Sequence, residues 1–178
     1  MREIEVKILN VDKKTIIDKI SGFGAEKTFD GEITTVFFDF KDSRIIKAEN
    51  VLRLRQTEQN TMLTFKTILN KEAAKEAEEY EVEVSNLQTM KKILEALGLF
   101  ESGTIQKHRT SYRLNGVKFD IDTYEKEHRN IPTFMEIEAE NIDLIYKYAE
   151  LLGYTAKDCL PWSTADVIKY HSTKQKGV

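Results

Sequence analysis

The sequence predicts an α+β fold in which an antiparallel sheet closes into a barrel-like tunnel with a charged interior, its helices packed on the outside. Two observations lead there. Segment after segment alternates charged and apolar residues with the period of two that belongs to a β-strand. Between these segments lie short stretches whose apolar residues recur at helical spacing.

The opening strand, Glu3-Ile4-Glu5-Val6-Lys7, places two carboxylates and an ammonium on one face. Asp12 caps a helix over about 13–21, with Ile16, Ile17 and Ile20 on one stripe and Gly22 and Gly24 ending it. Thr34 to Phe40 is β-branched and aromatic and reads as a strand, followed by a polar turn at Asp42, Ser43 and Arg44. Val51 to Gln56 and Met62 to Thr67 alternate cleanly and pair across a turn. Asn70 to Glu79 has helical propensity and almost no apolar stripe, so an exposed, mobile connection is expected. Glu79 to Val84 resumes the alternation, and Asn86 caps a helix carrying Leu87, Met90, Ile93, Leu94 and Leu97. Gln106 to Leu114 and Val117 to Asp122 flank Asn115-Gly116, a strong hairpin signal. Glu125 to Asn130 is a polar loop, and Pro132 introduces the strand Phe134 to Glu140. A helix over 142–152 ends at Gly153, Ser163 caps a last helix to about Tyr170, and 172–178 is expected to be a disordered tail.

At 178 residues the chain is expected to form a single domain, 1–178, large enough to bury roughly 70% of the surface of its unfolded form. Charged residues make up 32% but nearly cancel to a net charge of -3, so nothing draws the whole molecule to DNA or an anionic membrane. Any basic site must be local. The single cysteine, Cys159, suits a reducing compartment. With no apolar run long enough for a membrane span and a charged N-terminus, a cytoplasmic location is expected. No DNA or membrane partner is expected, and a homodimer is left open.

Counted by strand parity, one face collects Lys7, Arg53, Arg55, Lys66, Lys107, Arg109 and Arg113. Glu3, Glu5, Glu81, Glu83, Asp120, Asp122, Glu136 and Glu138 fall on the matching faces of other strands. A sheet covered outside by helices would turn these charges inward, inverting the usual barrel. Such an interior is costly unless acid pairs with base and charged ligands enter. A dense polyanion with divalent cations satisfies both sets of charges.

The Glu3-Ile4-Glu5-Val6-Lys7 strand resembles the ExExK signature of the CYTH superfamily, the triphosphate tunnel metalloenzymes. Arg53-Leu54-Arg55 resembles its RxR strand, Lys66 the lysine that follows, and Lys107-His108-Arg109 its second basic strand. Asp120-Ile121-Asp122 and Glu136-Ile137-Glu138 are similar to its acidic hairpin and late ExE, in the same order along nearly the whole chain. The resemblance implies an eight-stranded antiparallel tunnel that binds a triphosphate and Mg²⁺ or Mn²⁺. It further implies that Glu3, Glu5, Glu136 and Glu138, with Asp122 or Asp120, surround the metals. Lys7, Arg53, Arg55, Lys66 and Arg109 would hold the phosphates, with Lys107 and Arg113 on the same face, and Glu3, Glu5 and Lys7 would be catalytic.

Three functions are compatible with this set. The first is a triphosphatase acting on tripolyphosphate, a nucleoside triphosphate or thiamine triphosphate. The second is a class IV adenylyl cyclase, forming cyclic AMP and pyrophosphate, and the third is a polyphosphate- or nucleotide-binding module without turnover. Cyclase members carry a His-Phe pair before the first acidic strand and a Lys-Gly-Pro turn after the middle one. Here the strand begins almost at Met1, and Lys66 is followed by Thr67-Ile68, which favours hydrolysis. The remaining candidates are weaker. His108 has the parity of the outer face, while His128 and Arg129 fall in a solvated loop. Trp162 anchors the last helix. Among Glu79, Glu81 and Glu83, which share a face, Glu81 is preferred as the inward residue. Lys169 on the last helix either closes over the phosphates or is an ordinary surface lysine.

Overall fold

The structure, a computed structural model, describes residues 2–125 and 128–175. Eight strands form a closed antiparallel ring: β1 (Arg2–Ile8), β2 (Glu26–Asp39), β3 (Asn50–Gln56), β4 (Thr61–Lys71), β5 (Lys75–Glu83), β6 (Phe100–Leu114), β7 (Val117–Tyr124) and β8 (Phe134–Ala139). The order around the ring is β1-β5-β4-β3-β2-β6-β7-β8, and β1 closes it by pairing with both β5 and β8. The helices are α1 (Lys13–Gly22), the short α2 (Arg44–Lys47), α3 (Leu87–Ala96), α4 (Ile142–Leu152) and α5 (Thr164–Gln175). None of the described helices is long and apolar enough to cross a membrane.

Period-two alternation decides what each wall of the ring does. Val6 and Ile8 of β1 point outward into the main core with Phe119, Ile121, Met135 and Ile137 of β7 and β8. Ile16 and Ile20 of α1 and Ile145, Tyr148, Ala149 and Leu152 of α4 cover that face. Glu5 and Lys7, which flank Val6, are buried on the opposite side, inside the ring. A second core, built on Val36, Phe38, Leu54, Leu94 and Leu99, sits under α3. The third, around Tyr124, Ile131, Phe134 and Val167, seats α5.

Local signals place the helices. Asp12, Asn86 and Asn141 accept the Thr15, Thr89 and Leu144 amides at 2.8, 2.8 and 3.0 Å, and Ser163 accepts the Asp166 amide at 3.2 Å. Asn115 and Gly116 both have positive φ (48° and 79°), as the type I′ hairpin between β6 and β7 requires. Trp162 packs beside Tyr170 with ring centroids 5.0 Å apart, which anchors the start of α5 as expected.

Four expectations need correction. The stretch 70–79 is not a mobile connection: β4 runs to Lys71 and β5 starts at Lys75. Pairing on both sides, with β4 and β1, overrides the helical propensity of its alanines and glutamates. Strands β2 and β6 begin earlier than Thr34 and Gln106, and they pair with each other from Glu26↔Arg113 to Asp39↔Phe100. The turn after β2 contains a helical turn, α2, whose Ile45 and Ile46 amides donate to the buried Asp39 carboxylate at 3.0 and 3.1 Å. Finally, α5 runs on to Gln175 instead of ending at about Tyr170, while 176–178 lie outside the described residues.

Ile137 is fully buried between β8 and the covering helices, whereas Ile93 on α3 is 47% exposed. Ile137→Ala should lower the unfolding free energy by about 2–5 kcal/mol. Ile93→Ala should change it by less than about 0.5 kcal/mol, both read from urea denaturation.

Candidate active site

Inside the ring, strand register brings the charges into three linked groups. On β6, β7 and β8 the cross-strand partners are Arg109↔Asp122, Ser111↔Asp120 and Asp120↔Glu136. Arg109 therefore sits among three carboxylates. Its Nε and Nη2 donate to Asp122 at 2.6 Å each, Nη2 also donates to Glu136 at 2.7 Å, and Nη1 reaches Asp120. Lys107 donates to Asp122 at 2.5 Å, and Ser111 Oγ donates to Asp120 at 2.6 Å.

The second group straddles β1. Lys7 lies 2.7 Å from Glu5 and 3.0 Å from Glu136, and Lys75 of β5 also pairs with Glu5. The third is nearer one mouth, where Lys66 pairs with Glu3 and lies 3.6 Å from Glu79, and Arg53 donates to Glu79 at 3.0 Å.

Burial and neighbouring charge set the protonation of these groups. Burial alone would raise the Glu5 and Glu136 carboxyls, but Lys7 with Lys75 at Glu5, and Lys7 with Arg109 at Glu136, hold both well below the usual range. Asp120 is lowered in the same way by Arg109 and Lys118. Burial and the neighbouring Lys7 bring Lys75 down to about 8, because it shares with Lys7 the single carboxylate of Glu5. Burial and Arg109 bring Lys107 down to about 8 as well. Glu138 is raised by burial and by Glu3, Asp120 and Glu5 around it, against Lys118.

Arg55 differs from the rest. Burial and the two guanidiniums of Arg53 and Arg109 lower it to about 10, its buried Nε has no acceptor, and no ion pair involves it among the described residues. Among the described residues, the buried Arg53 Nε and Tyr124 hydroxyl also lack partners.

Most residues expected at the site line the ring together: Glu3, Glu5, Lys7, Arg53, Arg55, Lys66, Lys107, Arg109, Asp120, Asp122, Glu136 and Glu138. Arg113 has the right parity but is exposed at the end of β6, and Glu83 is exposed at the end of β5. The deepest of the three β5 glutamates is Glu79, not the expected Glu81, although Glu81 accepts from Thr64 at 2.7 Å. Lys169 is exposed and lines a surface hollow with Trp162 and Tyr170. His108 is outside the ring as expected, 3.4 Å from Asp30. Lys75 was missed, yet it continues the Glu79–Glu81 parity two strand steps back, once 75–79 is read as strand.

Glu3, Glu5 and Asp120 all lie within electrostatic reach of Glu138, with Glu5 directly opposite it. In the present side-chain arrangement the carboxylates are turned to lysine and arginine, and no three described His, Cys, Asp or Glu side chains converge on one point. An all-oxygen set in a like-charge cluster is nevertheless the donor chemistry that suits a hard divalent cation.

Residues 1–144 match the CYTH domain. The chain belongs to the CYTH family. Enzymes of this family depend on divalent metals and bind triphosphates, and the family includes triphosphatases and adenylyl cyclases. This CYTH protein is 26% identical over 147 residues to a Methanocaldococcus jannaschii protein provisionally named an adenylate cyclase, covering 81% of this chain and 80% of the relative. A Pyrococcus horikoshii structure superposes with a TM-score of 0.77 at 28% identity, over 94% of this chain and 98% of that one. A Hippeastrum adenylyl cyclase candidate whose dominant activity is that of a triphosphatase shares the fold, with a TM-score of 0.68 at 17% identity over 94% and 95% of the two chains.

Two outcomes follow for the metal-free protein. Glu5, Asp120 and Glu136 are held below their unfolded values, so the folded chain binds fewer protons in acid. Their stabilisation is complete above about pH 5 and is lost as the pH falls through about 4.5 and below. A loss of about 2 kcal/mol should lower the thermal midpoint by about 4–8 °C, read by circular dichroism across that range. Tyr124→Phe removes a buried hydroxyl that has no partner among the described residues and should leave the midpoint unchanged or raise it, measured by differential scanning calorimetry.

Proposed function

We propose that this CYTH protein is a divalent-metal-dependent triphosphatase that holds its substrate inside the tunnel. The observation that carries this reading is Arg55, a half-buried cation on the inner wall of the ring beside Arg53, its buried Nε without an acceptor among the described residues. An orphaned buried donor is costly unless an anion completes it, and a guanidinium matches phosphate oxygens in geometry as well as charge. Arg53, Arg55 and Lys66 would grip the phosphates from β3 and β4, and Lys7 and Arg109 would do so from the opposite wall.

Glu3, Glu5, Asp120 and Glu138, with Asp122 and Glu136 behind them, would hold the metal. Mg²⁺ or Mn²⁺, when bound, supplies charge neutralisation at the phosphate oxygens. The carboxylates would then release their lysines to the substrate, so metal and polyphosphate binding would favour each other. Positioning and charge compensation are the main needs of phosphoryl transfer, and this wall provides both. Glu3 and Glu5 also favour turnover over mere capture, because a pure anion binder is better served without repelling carboxylates. The named relative from Methanocaldococcus supports the cyclase as second reading, in which a ribose hydroxyl attacks in the same tunnel.

The test is a product assay with tripolyphosphate, ATP and thiamine triphosphate, each with Mg²⁺ and with Mn²⁺. Release of inorganic phosphate is expected. Cyclic AMP with pyrophosphate would install the cyclase instead, and tight binding without turnover would leave a binding module. Arg55→Ala should weaken tripolyphosphate affinity about 10–100-fold, in line with the loss of charge-assisted hydrogen bonds. Glu5→Gln should cut turnover at least about 100-fold while lowering affinity far less, and equal losses of both in the two variants would contradict the assigned roles.

A further inference from the structure

Asp166, Lys169, Tyr170 and Thr173 recur at three- and four-residue spacing along α5 and so share one face of the helix. Val167, on another face, is fully buried in the core with Tyr124, Ile131 and Phe134 and seats the helix. The first face fronts the surface hollow, about 450 Å³ in volume, whose remaining wall is Lys71, Pro161 and Trp162. That volume lies in the range of about 300–1,000 Å³ usual for sites that take small ligands. The wall is fixed in advance. Leu160 exchanges two backbone hydrogen bonds with Lys7, at 2.8 and 2.9 Å, Pro161 follows with φ locked by its ring, and Ser163 caps α5 directly after Trp162. Trp162 is thereby held beside Tyr170, and the two half-buried rings, tilted by 59°, form an aromatic notch on the hollow.

Charge narrows what this notch can take. Lys71 and Asp166 pair at 3.3 Å, and Asp166 also accepts from Ser163 at 2.6 and 2.8 Å, so this carboxylate is already satisfied. The Thr173 hydroxyl donates to the Lys169 carbonyl at 2.6 Å and is turned to its own helix. Lys169 is exposed and makes no ion pair among the described residues. Two lysines against one carboxylate leave the hollow net positive, which repels a cation that the aromatic faces alone would attract. An anion carrying a planar ring meets both surfaces, ring on ring and acid on the unpaired ammonium. Lys71 and Asp166 also line the tunnel cavity that Arg53 and Lys66 border, so hollow and tunnel share a wall.

We propose that the hollow is a second ligand site, on the outside of the ring, for a small aromatic anion that lays its ring against Trp162 and Tyr170 and its acidic group on Lys169. Its occupant is not the triphosphate proposed for the tunnel. Among the described residues no arginine lines the hollow, and one free lysine answers a single acidic group.

Trp162 is the only tryptophan in the chain, so the fluorescence of the full chain reports the site directly. Adenosine monophosphate, adenosine and inorganic phosphate are the probes. Adenosine monophosphate should change the emission with a dissociation constant below about 1 mM, and adenosine and phosphate should each bind at least about 5-fold more weakly. The signal should persist in excess tripolyphosphate with Mg²⁺. Lys169→Gln, at an exposed position, should weaken adenosine monophosphate about 5-fold and leave adenosine unchanged. No response to millimolar adenosine monophosphate overturns the proposal, and so does its displacement by tripolyphosphate, which would place it in the tunnel. Adenosine binding as tightly as its monophosphate, or an affinity untouched by Lys169→Gln, overturns the anionic ligand. Phosphate binding as tightly as the monophosphate overturns the ring contact.

Discussion

Arg109 has one guanidinium for Asp120, Asp122 and Glu136, and the interior depends on that contact. Three buried carboxylates without a cation would be untenable, since each buried ion costs several kcal/mol if uncompensated. Arginine suits the place because its planar fork offers five donors in fixed directions and does not deprotonate. The contact also pins the register of β6, β7 and β8. A one-residue slip would turn every one of these charges to the outer face and bring Phe119, Ile121 and Ile137 inside.

From this hub the pairing spreads through Glu136 to Lys7, then to Glu5 and Lys75. Acid and base are shared along this chain of contacts: Glu5, Asp120, Asp122 and Glu136 each pair with two cations. An interior organised this way exchanges partners easily. Arg55 stands outside the chain of pairs, its Nε an unanswered donor in the wall, while Glu138 has more negative than positive charge near it. The structure thus carries an unmet demand for an anion on β3 and for a cation near β8.

Alternation in the sequence reveals the outline of all this because a strand's faces follow a period of two whatever its surroundings. Glu5 and Lys7, Arg53 and Arg55, and Asp120 and Asp122 are assigned to the inner wall from parity alone, and the structure agrees. Parity gives the face but not the depth. Arg113 and Glu83 have the same phase as Arg109 and Glu79 and still end up at the rims. Lys75 escapes notice because its neighbours, alanine and glutamate, favour a helix, and only pairing with β1 makes the segment a strand. The early half of β2 is similarly hidden: a register shift between Lys27 and Phe29 breaks the alternation, and Gly31 carries no side chain to continue it.

The closing strand also bears on how the chain reaches this state. β1 comes first in the chain, but its two neighbours are β5 and β8, and the second of these begins at Phe134. Hairpins such as β3-β4 and β6-β7 form from residues close in sequence, whereas β1 waits for partners far along the chain, and such distant pairings are slow. Until they form, β1 has an open edge, and its charged residues Glu3, Glu5 and Lys7 make that edge a poor template for aggregation. The same three side chains therefore guard the unfinished barrel before they line the finished one.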